Sequence, residues 1–279
     1  MIYVAPGKVV LVGEYAVLDG APAIVAAVDR GVQCEVTAAE RLTVETPADD
    51  RFARASLEAV DAPPARYVFS DWNHPGTATK AGLGGSAAAT VCGCLAGSPH
   101  LGATEVQAIA HRVHAEIQGS GSGIDIAAAA HGGVLRFEAG NVTDLQPVDV
   151  VVVFSGSSAA TGPRIEQYLA VERHRFIADS TRIVGVFETD PMGALREACD
   201  LLEGMTRRAG IAWWTPGLRR IVALATDCGG AAKPSGAGGG DCAVALFPDT
   251  ASSTAFQRAC AEEQLIVIPT RIAPGARRL

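Results

Sequence analysis

Three glycine-rich segments, at residues 80–90, 118–125 and 233–242, constrain the fold of this chain more than any other feature. Glycine weakens the interior of a helix or strand, but it admits positive φ and lets backbone approach a neighbour closely. The chain has 31 glycines, and they concentrate in a few loops of this kind. Each loop marks a turn, and an ordered element follows each one. Residues 85–96 are small and alanine-rich and read as a closely packed helix. Residues 124–130 read as a second helix, and 242–247 as a buried strand.

The remaining periodicities fill in a mixed order of elements. Residues 2–5 and 9–12 read as short β-branched strands around the break Pro6-Gly7, and 32–37 as another. Residues 46–64 are polar and proline-bearing and read as an irregular surface segment. The clearest helix is 104–117: Thr104 and Gln107 have capping-box spacing, and Val106, Ile109, Ala110, Val113 and Ile117 form one apolar stripe. A strand is expected at 134–137, and the run 148–154 reads as a buried strand. Helices are expected at 163–186, 192–208, 216–227 and 252–263, with a final strand at 265–268. This order predicts an α+β fold rather than a regular βαβ array. A boundary near 140–147 would divide it into domains at 1–145 and 146–279.

Composition narrows the function class. Hydrophobic residues make up 48% of the 279 and charged residues 19%, which fits a folded core. A net charge of −7 and a pI near 5.4 argue against a nucleic-acid partner, which needs clustered Lys and Arg. The seven cysteines show no paired C-x-x-C spacing for zinc and read as reduced, mostly buried thiols. The N-terminus lacks signal-peptide character, and no apolar run reaches the ~18 residues of a membrane helix. The expectation is a cytoplasmic protein without a membrane partner, monomeric or homodimeric.

The loops themselves can carry chemistry. In residues 80–90 small side chains let a ligand reach the backbone, and the following helix start offers free N–H groups to an anion. Ser86 adds a hydroxyl that could ligate Mg²⁺ or a phosphate oxygen. Close packing by small residues is the competing explanation. Gly82-x-Gly84-x-x-Ala87 formally matches a dinucleotide fingerprint, but residues 74–80 do not read as a strand. Glu105 has roughly the spacing of the acidic partner but falls in a helix, and no P-loop G-x-x-x-x-G-K-[ST] occurs. In the second loop Asp125 stands at a helix start, either as a cap or as a base or electrostatic partner for an acceptor hydroxyl. The third loop is either a flexible link or a place where backbone approaches something closely, and the apolar strand that follows directly favours the second. Pro6-Gly7-Lys8 and Gly13-Glu14-Tyr15 bracket a strand, and Lys8 is the only lysine in the first 79 residues.

Taken together and in this order, these elements resemble the GHMP kinases. The run from Pro6 through Leu18 looks like the family's first motif, Gly82 to Ala88 its second, and Gly236 to Cys242 its third. Within the family, three details are most similar to the phosphomevalonate kinases: Lys80 before the second motif, the 118–125 run, and Ser235-Gly236-Ala237-Gly238-Gly239-Gly240-Asp241-Cys242. Residues 155–161 resemble that branch's acceptor-side loop. Mevalonate kinases are the close alternative; their usual histidine is Tyr15 here. Two departures stand out. Gly85 replaces a customary serine, and the glutamate that mevalonate kinases use as a metal ligand aligns with His114, with Glu116 nearby.

The resemblance implies a ribosomal-protein-S5-like N-terminal half and a ferredoxin-like C-terminal half. It implies ATP and Mg²⁺ as cofactors and a small anionic acceptor, 5-phosphomevalonate. Gly82, Leu83, Gly84, Gly85, Ser86 and Ala87 would hold the ATP phosphates, with Ser86 and Glu116 on the metal. Asp125 and Lys8 would be catalytic. Lys80, Ser122, Gly123, Ser158, Ser235, Gly236, Ala237 and Gly238 would meet the acceptor.

Overall fold

The computed structural model describes residues 1–47, 49–73, 81–119, 121–159 and 162–279. Lys80 and the rest of the segment 74–80 lie outside them. Among the described residues there are two sheets. The first is built on β1 (Ile2–Val12) and the long β2 (Ala23–Ala38), paired antiparallel. The C-terminal half of β2 pairs with β4 (Ala65–Trp72), which carries the short parallel β3 (Thr43–Glu45). Its N-terminal half pairs with β5 (Val134–Glu138), followed by β6 (Asn141–Leu145). The second sheet runs β10-β7-β9-β8: Ile266–Ile268, Val151–Phe154, Cys242–Leu246 and Ala231–Pro234. The two expected strands around Pro6-Gly7 are one strand, because a register shift at that step absorbs the missing N–H of proline without ending the ladder. The last strand is β11 (Arg277–Arg278), which returns to pair with β1 rather than ending the chain at 268.

Helices cover the first sheet on its core side. α2 (Gly85–Gly97) is apolar around most of its circumference and lies in the middle of the layer, as a helix of that character must. α3 (Ala103–Gln118) and α4 (Ile124–His131) flank it. The segment expected to be irregular contains α1 (Arg51–Glu58), whose Ala53, Ser56 and Leu57 are buried against α2. A Cβ at Gly93 would stand 1.9 Å from Ser56 Oγ, so α2 needs that glycine for α1 to dock. α3 begins one residue earlier than expected. Glu105, not Gln107, closes its first turn by accepting from Gly102 N at 2.9 Å. Gln107 instead bonds the Gly140 carbonyl and His131.

In the second sheet both faces are buried, which explains the unbroken β-branched run. Val152, Phe154, Val244 and Leu246 pack with α6 (His174–Val186) and α7 (Pro191–Arg208), and with Val9, Leu11 and Ile24 of the first sheet. Val153, Ala243 and Ala245 face α8 (Pro216–Asp227) and α9 (Thr250–Glu262). The two sheets thus share one core, and the three glycine loops collect where they meet. The single helix expected at 163–186 is split into α5 (Gly162–Leu169) and α6. Glu172 accepts from His174 N at 2.7 Å to start the second, while Arg173 leaves the helical path to pair with Asp19. All seven cysteines are unpaired, and all but Cys228 are buried. Among the described residues no helix is long and apolar enough to cross a membrane.

Candidate active site

A cleft of about 440 Å³ lies between the sheets, within the ~300–1,000 Å³ usual for small-molecule sites. Its floor is β1. There Lys8 N donates to Leu83 O at 2.8 Å, which ties the strand to the second-motif loop. The Lys8 side chain runs beneath Gly84: a Cβ at that position would meet its Cγ at 3.2 Å and its Cε at 3.3 Å. Gly84 has φ 78° and ends the loop as the N-cap of α2. The first intrahelical bond runs from Ala88 N to Gly84 O, so the amides ahead of it face the cleft mouth, with the positive end of the helix dipole.

Lys8 Nζ stands 3.5 Å from Asp125 Oδ1. Asp125 is the second residue of α4 and is not its cap: the cap position is Gly123, and Ser122 Oγ accepts from Ile124 N at 3.3 Å. The carboxylate is thereby left facing the lysine and the phosphate loop. Ser86 Oγ, at the start of α2, pairs with His114 Nε2 at 3.1 Å. His114 is reached from α3, and its ring packs against Phe52 of α1 at 5.0 Å between centroids. Burial holds its pKa below the ordinary histidine value, against the pull of Asp125.

The third loop closes the cleft from the other sheet. Ser235 Oγ accepts from Val10 N at 2.9 Å and donates to Val10 O at 3.1 Å, pinning the loop to β1. Tyr15 OH donates to Ala237 O at 2.7 Å, and burial pushes that phenol's pKa up. Gly238 packs on the indole of Trp213, and Gly240 on the backbone of Ser157 to Ala159. Lys233, just before the loop, is fully buried and paired with Glu14.

The structure therefore brings together Lys8, Gly82, Gly84, Gly85, Ser86, Ser122, Gly123, Asp125, Ser158, Ser235, Gly236 and Ala237 around one cleft. Four of the sequence candidates do not line the cleft. Leu83 gives its carbonyl to Lys8 N and its side chain to the shared core, Ala87 is buried within α2, and Gly238 is covered by Trp213. Glu116 is exposed on α3 and does not line the cleft; His114 stands beside Ser86. Glu14, His114 and Gln118 line the cleft as well and were not among the sequence candidates, and Asp241 of the third motif joins them. His114 and Gln118, four apart on one helix, carried the signal of a shared face. For a divalent cation the cleft offers the Ser86 hydroxyl and the Asp125 carboxylate, oxygen donors of the kind Mg²⁺ takes with phosphate oxygens and water.

A sequence profile of the GHMP kinases N terminal domain matches residues 57–133, and one of the GHMP kinases C terminal region matches 192–265. The phosphomevalonate kinase of Streptomyces sp. (strain CL190) is 28% identical, over 89% of this chain and 90% of that protein. The mevalonate kinase of Methanothermobacter thermautotrophicus is 31% identical, over 88% of this chain and 89% of that one. Among solved structures, Streptococcus pneumoniae phosphomevalonate kinase in complex with phosphomevalonate and AMPPNP superimposes with a TM-score of 0.83. It is 18% identical over 98% of this chain and 100% of that one, so this likeness concerns the fold.

Proposed function

The chain belongs to the GHMP kinases, and from that premise we propose that it transfers the γ-phosphoryl group of ATP to 5-phosphomevalonate, giving a diphosphate. The observation that carries the phosphotransfer is the Lys8–Asp125 pair at 3.5 Å beneath the phosphate loop. Phosphoryl transfer needs little covalent help; positioning and stabilisation of charge supply most of the rate. The backbone of residues 82–86 and the N-terminus of α2 hold the ATP phosphates. Lys8 stabilises charge on the transferring group. Asp125 orients the acceptor oxygen, which as a phosphate is already ionised near neutral pH. When Mg²⁺ is bound, the Ser86 hydroxyl and the Asp125 carboxylate would hold it, and it would add neutralisation of the phosphate charge.

The acceptor assignment is supported by the third-loop run 235–242 and by the phosphomevalonate kinase relative. Mevalonate is the second reading, favoured by a mevalonate kinase relative of comparable identity. Of the chain's three lysines, Lys233 is occupied by Glu14 and Lys8 lines the cleft, so charge decides between the two readings through Lys80. A phosphate monoester brings roughly −1.5 to −2 charges and needs cations. The test is ADP release with each acceptor, in the parent and in Lys80→Met. Fastest turnover of 5-phosphomevalonate is expected, with a raised acceptor KM in the variant. A tenfold preference for mevalonate in kcat/KM, about 1.4 kcal/mol, would move the assignment to the second reading.

A further inference from the structure

Asp241 ends the third glycine loop with φ 55°, in the left-handed region where glycine sits without strain. A carboxylate there carries a second cost. The cleft lining already includes Glu14 and Asp125, and a site for polyphosphate gains nothing from one more negative charge. Burial pushes the Asp241 pKa upward, against the Ala159 amide and the charges of Lys8 and Arg164. Glycine at this position would remove both costs, so what the side chain contributes must be sought in its contacts.

Those contacts converge on one segment. Asp241 Oδ1 accepts from Ala159 N at 3.1 Å. The Asp241 amide donates to Ser157 O at 2.7 Å, and its carbonyl accepts from Ser155 N at 2.8 Å. Ser158 and Ala159 form part of the cleft wall. On its other side the carboxyl group fills the space in front of the phosphate loop: a Cβ at Gly82 would stand 2.5 Å from Asp241 Cγ. The absence of a side chain at residue 82 is thus what gives the carboxylate room. One residue touches both the loop assigned to ATP and the segment assigned to the acceptor.

We propose that Asp241 is a positioning residue that clamps residues 155–159 against the phosphate loop and so sets the acceptor side of the cleft. The inference rests on the reading above that this segment faces the acceptor. The backbone bonds at Ser155 and Ser157 survive any substitution, so the side chain acts on the tip of the segment, at Ala159. What it must supply there is a hydrogen-bond acceptor of the right length, which asparagine also supplies.

The test compares Asp241→Asn, Asp241→Ala and Asp241→Gly; the last relieves the backbone strain and stands in if the alanine variant does not fold. In the alanine and glycine variants the acceptor KM should rise about tenfold or more, the loss expected for a charge-assisted hydrogen bond, with the ATP KM held within about twofold. Asp241→Asn should restore the acceptor KM to within about threefold of the parent, on the same scale. Amide hydrogen exchange in the ligand-free protein reads the clamp without any acceptor: the Ala159 amide should exchange faster in Asp241→Ala and at the parental rate in Asp241→Asn, with Ser155 and β9 unchanged. Unchanged exchange in the alanine variant overturns the clamp. An asparagine variant as impaired as alanine, or a KM rise shared equally with ATP, overturns the positioning role. If the parent phosphorylates neither mevalonate nor 5-phosphomevalonate, the acceptor reading fails while exchange still decides the clamp.

Discussion

Replacing Lys233 by methionine would take the charge from a fully buried side chain and keep most of its shape. Its Nζ donates to Glu14 Oε1 and, at 2.9 Å, to the Pro234 carbonyl; the Val10 carbonyl at 3.5 Å adds little. Glu14 is itself only 4% exposed. Without the lysine it keeps one long bond, from Gly236 N at 3.3 Å, and its Oε2 has no hydrogen-bond partner among the described residues. Breaking one side of a buried pair in this way costs about 3–5 kcal/mol, because the surviving charge is neither hydrated nor compensated. For a chain of this size each kcal/mol moves Tm by about 2–4 °C, so Lys233→Met should melt roughly 6–20 °C below the parent. Glu14→Gln in the same chain removes the orphaned charge and keeps an oxygen for Gly236 N, and should recover half or more of the loss. Thermal unfolding of the parent, both single variants and the double variant measures the coupling. A Lys233→Met protein that melts within ~3 °C of the parent, under about 1.5 kcal/mol by the same conversion, would refute the reasoning. A rise in acceptor KM in that protein would then make Lys233 a cation of the cleft.

Two further outcomes are expected. Asp125→Asn should keep the fold and the ATP KM while lowering kcat by ~10²-fold or more, since it removes a charge that faces the reacting groups and caps nothing; activity within a few-fold of the parent would reduce Asp125 to a bystander. Burial holds the pKa of His131 below its ordinary value, with Asp144 opposing, and its Nε2 lies 2.7 Å from Gln107 Oε1. The stability tied to keeping that ring neutral is complete above the unfolded value near ~6.5 and is lost as pH falls below it. Tm measured from pH 7.5 to 5.5 should therefore fall less steeply in His131→Gln than in the parent, and equal slopes would count against this.

Much of the site was legible because its signals are local. A glycine that needs positive φ, or a run of small residues at a helix start, is written in a few consecutive positions; Gly84 at φ 78° and the start of α2 are examples. The apolar stripe of α3 and the two-faced run of β7 are local in the same sense. Other features depend on partners distant in sequence. Helix α1 is not legible locally because its polar, proline-flanked stretch hides the three side chains that α2 buries, and only the small residues of α2 make that docking possible. Glu116 and His114 are two positions apart on one helix, and nothing local says which of them meets Ser86. The packing of α3 against α1 and α2 turns His114 inward and leaves Glu116 in solvent.

The lysines show the same division most plainly. By itself the sequence determined where lysines were available, since two of the three flank glycine loops, at 80 and 233, and the third follows Pro6-Gly7, at 8. The tertiary structure decided their uses for the two it describes. Lys8 runs under Gly84 to Asp125, in a half-open cleft where a charge can act on a ligand. Lys233 is taken by Glu14, brought to it by the contact of the first sheet with the second. A loop's backbone freedom follows from its own residues, whereas a charge's function follows from what the fold places beside it and how much water it leaves there.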